Sequence, residues 1–272
     1  RIELIANEDG VGVNLEAPVA AQTGDLSLNS EGKLAYSRAS ADEKLSISAP
    51  EIRAEGDTKA GTELNFNTGA LSMEKGRAMA LLIRADADRL SVAEDTAFAA
   101  DNRLDLDLGQ LENDGTLASG SVLNLDVEDF VYEGTIQAED ALSLDASGDL
   151  TIPEDTEWKL PGDMQLWAGN RIVNKGRFSA AGELQLETPA LKNDGDLAGL
   201  GGLRVDARRL EGPAVTRTAV STPARHVARH GVRILRDGCR VERRPGHPHR
   251  LEHGGAKVGR EGAVGEARDD SA

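Results

Sequence analysis

Residues 191–200 read LKNDGDLAGL and residues 111–120 read LENDGTLASG, with Leu, Asn, Asp, Gly, Leu and Ala at the same six offsets. The two stretches lie 80 residues apart, so the chain either carries two copies of one site or passes the same structural position twice. Around them runs a series of apolar-x-apolar pairs: Leu26/Leu28, Leu45/Ile47, Leu64/Phe66, Leu81/Ile83, Leu104/Leu106, Leu123/Leu125, Leu142/Leu144, Met164/Leu166, Leu184/Leu186 and Leu203/Val205. Successive pairs are 19, 19, 17, 23, 19, 19, 22, 20 and 19 residues apart, and Ile2/Leu4 begins an eleventh unit. A recurrence near 20 residues makes the 80-residue echo four units long. The echo is then a register mark in a repeat rather than a duplicated site.

Within each pair the intervening residue is usually Ser, Asn, Asp, Gln or Arg. Alternation with period two predicts a short strand with one face buried. A second strand is introduced by Asn-x-Gly at Asn113/Gly115/Leu117, Asn174/Gly176/Phe178 and Asn193/Gly195/Leu197, with degenerate copies at Gly32/Leu34 and Gly134/Ile136. Asn and Gly tolerate left-handed backbone angles, which makes Asn113, Gly115, Asn174, Gly176, Asn193 and Gly195 structural corner residues. A unit of about 20 residues built this way cannot close a core alone and must stack on its neighbours. The predicted fold is all-β: a right-handed parallel β-helix of about ten coils over residues 1–212, roughly 50 Å long at ~4.8 Å per coil. A leucine-rich repeat shares the period but needs a Leu-x-x-Leu-x-Leu frame that does not align, and the strands of a β-sandwich need not recur so evenly.

Composition supports a narrow interior. Aromatic residues make up only 3% of the chain, and all of them precede residue 180. Residues 1–212 hold 19 Lys/Arg against 40 Asp/Glu, whereas residues 213–272 hold 12 against 7. An acidic body argues against nucleic acid or an anionic membrane surface as partner. That body contains neither His nor Cys, which removes imidazole and thiolate from metal binding and nucleophilic catalysis there. No apolar run reaches the ~18–20 residues of a membrane span, and the chain opens on Arg1 with no signal peptide, as expected of an internal fragment.

The stretch IVNKGRFSAAGELQLETPALKNDGDLAGLGGLRVDA at 172–207 resembles the filamentous-hemagglutinin repeats of large secreted bacterial exoproteins, a family that includes hemagglutinin adhesins and contact-dependent growth inhibition proteins. RIELIANEDGVGVNLEAPVAAQTGDLSLNSEGKL at 1–34 resembles the point where the family's secretion domain gives way to its repeats. The resemblance implies a structural shaft segment of a virulence-associated exoprotein, exported to the cell surface by two-partner secretion. The implied partners are an outer-membrane transporter, engaged through a region outside residues 1–272, and a receptor on a host or neighbouring cell. An adhesin surface binding glycan or matrix protein directly is the alternative. A Cys-free body suits transit through an oxidising periplasm, and contacts local in sequence suit folding from the emerging end. The family's Asn-Pro secretion motifs, a toxin module and Arg-Gly-Asp are absent from these residues.

Enzymatic alternatives rest on little. Parallel β-helices also house polysaccharide lyases and hydrolases, and Asp105 and Asp107 flank Leu106 on one face. Two residues apart on a strand is about 7 Å, whereas retaining glycosidases hold their carboxyl groups about 5–5.5 Å apart. Coils this short also leave no long loops to wall a cleft. Asp194 and Asp196 could stack into a calcium site, but the Gly-Gly-x-Gly-x-Asp repeat that supplies regular ligands is missing. We therefore expect no enzyme activity, no catalytic residues, no metal site and no cofactor. From Pro213 the ladder stops and Arg outnumbers Lys eleven to one. Residues 213–272 are expected to be a basic, low-order tail or an out-of-frame translation, and Arg229-His230 there is only a faint echo of a pectinase motif.

Overall fold

A chain that alternates apolar and polar residues can bury one side of each strand only if that side faces a closed interior. The computed structural model describes residues 1–6, 12–132, 134–154 and 156–212, and there the interior closes by stacking. The chain divides into two units, Arg1–Glu242 and Arg243–Ala272; the second, and the expectations made for 213–272, lie outside the described residues. The described residues hold strands and no helix, and paired strands run parallel from one coil to the next. The architecture is a parallel β-solenoid.

Each coil has three faces. The strand Glu183–Asn193 supplies two of them, turning at Thr188–Ala190, and the short strand Asp196–Gly199 supplies the third. On the first face Leu26 lies over Leu45, Leu45 over Leu64, Leu104 over Leu123, Leu123 over Leu142, Leu142 over Met164, Met164 over Leu184 and Leu184 over Leu203. Ile2 and Leu4 align with Leu26 and Leu28, giving eleven rungs. Ten steps of ~4.8 Å span about 48 Å.

One pair of the series belongs to a different phase. Leu64 aligns with Ile83 and Phe66 with Ala85, which align in turn with Leu104 and Leu106. The inward pair of that coil is Ile83/Ala85 rather than Leu81/Ile83, and Leu81 is 47% exposed. The spacings of 17 and 23 thereby become 19 and 21. The extra residues of this coil enter at its corners. Register shifts by one residue opposite Ala80/Leu82, and the bend before Ala97 contains Asp95 at φ 64°. A bulge and a left-handed turn residue absorb length without disturbing the ladders on either side.

The second face stacks Leu34, Ile52, Leu71, Leu90, Leu111, Phe130, Leu150, Ile172, Leu191 and Leu210. On the third, Ala41 and Ala60, Ala80 and Ala100, and Ala138 occupy equivalent inward positions, so the prism narrows there. Bulk is compensated around the lumen. Phe98 packs edge-on to Phe66 at 5.9 Å, and the coil of Phe98 carries Ala85 where its neighbours carry Phe66 and Leu106. Trp158 meets Phe178 at 5.0 Å and Phe130 at 6.1 Å, both edge to face. These aromatics are thus placed inside, each taking space that an aliphatic ladder leaves open. Tyr36, also enclosed, shares a 2.8 Å hydrogen bond with Thr58 of the next coil, and burial pushes its phenol well above the usual range.

Chemical denaturation tests the corrected phase. Ile83→Ala removes a fully buried side chain and is expected to cost about 2–5 kcal/mol. Leu81→Ser should change stability by no more than about 0.5 kcal/mol, as exposed substitutions do; the opposite order would restore Leu81 to the ladder.

Candidate functional site

Asn113, Asn174 and Asn193 each end a strand, and Gly115, Gly176 and Gly195 each sit in the two-residue corner that follows. None of the six has a positive φ, so left-handed tolerance is not the reason for either residue type. The glycines are required by close approach. A Cβ on Gly115 would lie 2.5 Å from the Thr96 carbonyl oxygen, on Gly176 2.4 Å from that of Thr156, and on Gly195 2.0 Å from that of Gly176. Gly56, in the corner Ala54–Thr58, is held the same way, 2.1 Å from the Ser37 oxygen. It lacks the preceding Asn, which is why the Asn-x-Gly pattern passes over it.

The three asparagines point inward and are almost fully buried, in the column that Tyr36, Ala54, Met73 and Val92 occupy in other coils. A buried amide must find its own partners. Asn174 accepts from the Gly176 N–H through Oδ1 at 3.1 Å and donates through Nδ2 to Asn193 Oδ1 at 2.7 Å. Asn193 Nδ2 donates to the Gly195 carbonyl at 3.0 Å. Asn113 makes a longer bond of the same kind to Gly115, 3.4 Å. Stacked amides thus tie each corner to itself and, for Asn174 and Asn193, to the next coil. The arrangement holds backbone; it offers no acid, base or nucleophile to a substrate.

The outward columns carry the charges. Glu63 accepts from Lys44 at 3.0 Å and from Arg84 at 2.7 Å, and those two cations hold its carboxyl below the ordinary carboxylate range. Asp105 is bound by Arg103 at 2.7 Å and by the Asn124 amide at 2.7 Å, with Arg84 at 3.8 Å. Its partner in the sequence-derived pair, Asp107, is exposed on the same face and shares none of these bonds. Asp194 pairs with Lys192 at 3.2 Å and Asp196 with Arg177 at 3.3 Å, so both carboxylates of the calcium candidate already face cations. Among the described residues no three His, Cys, Asp or Glu side chains converge on a common point.

One outward column is different. Asp86, Asp107, Asp126 and Asp145 lie in register on successive coils, followed by Trp167, Glu187 and Asp206. Among the described residues none of these six carboxylates takes part in an ion pair. Partial burial, and then the neighbouring Asp126, raise the Asp145 carboxyl above its usual range. Trp167 is 38% exposed, while the other tryptophan, Trp158, is enclosed. Sequence reasoning passed over Trp167; the available signal was a large aromatic at an outward position of the alternation, between Leu166 and Ala168.

Substitution at the corner separates its two components. Asn174→Ala leaves the Gly176 N–H and the Asn193 Oδ1 without their buried partner and should cost about 1–3 kcal/mol. Gly176→Val drives side-chain atoms into the Thr156 and Pro153 carbonyl oxygens and should cost at least as much. Unchanged urea midpoints would remove the corner from the stabilising framework.

No family model matches the chain, and no solved structure does. Over 81 residues, 29% of this chain, the sequence is 35% identical to the 16S rRNA endonuclease CdiA of Enterobacter cloacae subsp. cloacae; the chain spans 2% of that protein's length.

Proposed function

We propose that residues 1–212 are a shaft segment of a large secreted bacterial exoprotein of the adhesin or contact-dependent inhibition type, exported by two-partner secretion and presented at the cell surface. The observation that carries this is continuity. Ladders on the first two faces run from coil to coil, the third face is paired in two stretches that meet between Thr135–Ala138 and Glu157–Leu160, and variations in length are absorbed at corners rather than in long loops. A stack of this kind transmits distance: each added coil lengthens it by ~4.8 Å. The partial similarity to CdiA, a contact-dependent inhibition exoprotein, and the resemblance of 172–207 to hemagglutinin repeats support the same placement. The outer-membrane transporter and the cell-surface receptor are proposed partners on that basis.

We further propose that the shaft is not an enzyme. Asp105 is held by Arg103 and Asn124 and not aimed at open space, which supports a structural part for it. Among the described residues no helix is long and apolar enough to cross a membrane.

The test is genetic. An antibody against residues 1–212 should label intact cells that carry the parent gene and its paired outer-membrane transporter, and labelling should vanish when the transporter is deleted. Removing one whole coil, residues 104–122, should leave surface labelling intact. Labelling independent of the transporter would overturn the export route, and loss on removing a single coil would overturn the spacer role.

A further inference from the structure

On the first face, Trp167 lies in a shallow cleft of about 270 Å³ formed by four consecutive coils. Asp145 stands one coil before it and Glu187 and Asp206 one and two coils after it, all in the same outward column. Beside that column run the amides of Gln165 and Gln185 and then the guanidinium of Arg204, which also lines the cleft. A Cβ on Gly169 would meet the indole at 3.3 Å, so the ring lies over backbone that has no side chain to cover it.

This combination is uneconomical for a surface with no ligand. Elsewhere on the same sheet several carboxylates are neutralised across coils, as Glu63 is by Lys44 and Arg84. In the Trp167 column the carboxylates lie in register at ~4.8 Å per coil with no ion pair among the described residues, and partial burial, then the neighbouring Asp126, raise the Asp145 carboxyl. An exposed indole between like charges also leaves a π face whose negative quadrupole adds to theirs. Both features are satisfied by a cation: carboxylates pair with guanidinium or ammonium groups, and the indole is the strongest aromatic partner for such groups. A neutral sugar would use the ring but leave the acids unpaired. A divalent ion would use the acids but not the ring.

We propose that the Trp167 cleft is a docking surface for an Arg- or Lys-rich extended segment of a protein partner, one cationic side chain lying on the indole and its neighbours pairing with Asp145, Glu187 and Asp206. The charge complementarity extends beyond the cleft, since Asp126, Asp107 and Asp86 continue the column on the preceding coils. The surface is independent of the shaft role, because a rod that docks nothing would still be a shaft.

The test uses the full 272-residue chain, so that its own basic tail is constant in every comparison. Titration with nona-arginine, followed by calorimetry and tryptophan fluorescence, should show saturable binding with quenching from Trp167. Trp167→Ala and Glu187→Gln should each weaken binding about tenfold or more, Trp167→Phe should retain affinity within about threefold, and added salt should weaken all of them. Glu139→Gln, an exposed acid outside the cleft, should leave affinity unchanged. Thermal melts of each variant keep folding separate from binding, and Asp145→Asn offers a second probe that relieves repulsion and should not lower Tm at neutral pH. Equal affinity in Trp167→Ala and wild type would mean only diffuse attraction to an acidic body and would overturn the proposal. Saturable binding of chitohexaose or calcium ion at the cleft, without binding of nona-arginine, would overturn it as well.

Discussion

Backbone hydrogen bonding between parallel strands of successive coils sets the terms for every other feature of this molecule. Because it holds coils ~4.8 Å apart and, away from the shift at Ala80/Leu82, in register, each paired residue lies over its counterpart one coil away. Apolar residues consequently form ladders, of which Leu45, Leu64 and Ile83 are one example. Corners feel the same constraint more sharply. At Gly176 and Gly195 the preceding coil's carbonyl oxygens occupy the space a Cβ would need, so the residue type follows from proximity rather than backbone angle. Charge obeys it too, since like residues in register bring like charges together unless a cation intervenes.

The interior adds a volume constraint to the register constraint. The lumen is closed by three short faces, so a ring on one must be offset by a small residue on another, as Phe98 is by Ala85 within one coil. Polar side chains that enter are mostly satisfied there, the exception among the asparagines being Asn113 Oδ1, which has no hydrogen-bond partner among the described residues. Tyr36 reaches Thr58, and the Asn174 and Asn193 amides bond each other and their own corners. Buried amide stacks of this kind are stable when complete and costly when one member is lost. They therefore fix register at the same points where the chain changes direction.

Much of this was legible in the sequence because a repeat states its rule many times. Nine of the ten Leu-type pairs fall on the first-face ladder, and the 80-residue echo falls at equivalent corners, Asn113 and Asn193. The pair Leu81/Ile83 was out of phase because Leu81-Leu82-Ile83 offers two apolar alternations, and only the evenness of 19 and 21 over 17 and 23 favours the correct one. The corner glycines were recognised by position but for a different reason, since close approach between coils is not a local property of sequence. Trp167 was invisible to a search for core periodicity because it breaks the alternation on the outward side. The unpaired acidic column needed register between coils, which pairwise spacing along the chain does not display.

Distance along the stack is the most direct test of the account. With Cys239 replaced by Ser, spin labels at Ser46 and Asn124, and at Ser46 and Gln185, would occupy one outward column four and seven coils apart. At ~4.8 Å per coil, pulsed electron paramagnetic resonance should report separations of about 19 and 34 Å between the labelled backbones, growing linearly with coil number. Separations that fail to grow with coil number would contradict the stacked-coil architecture and everything drawn from it.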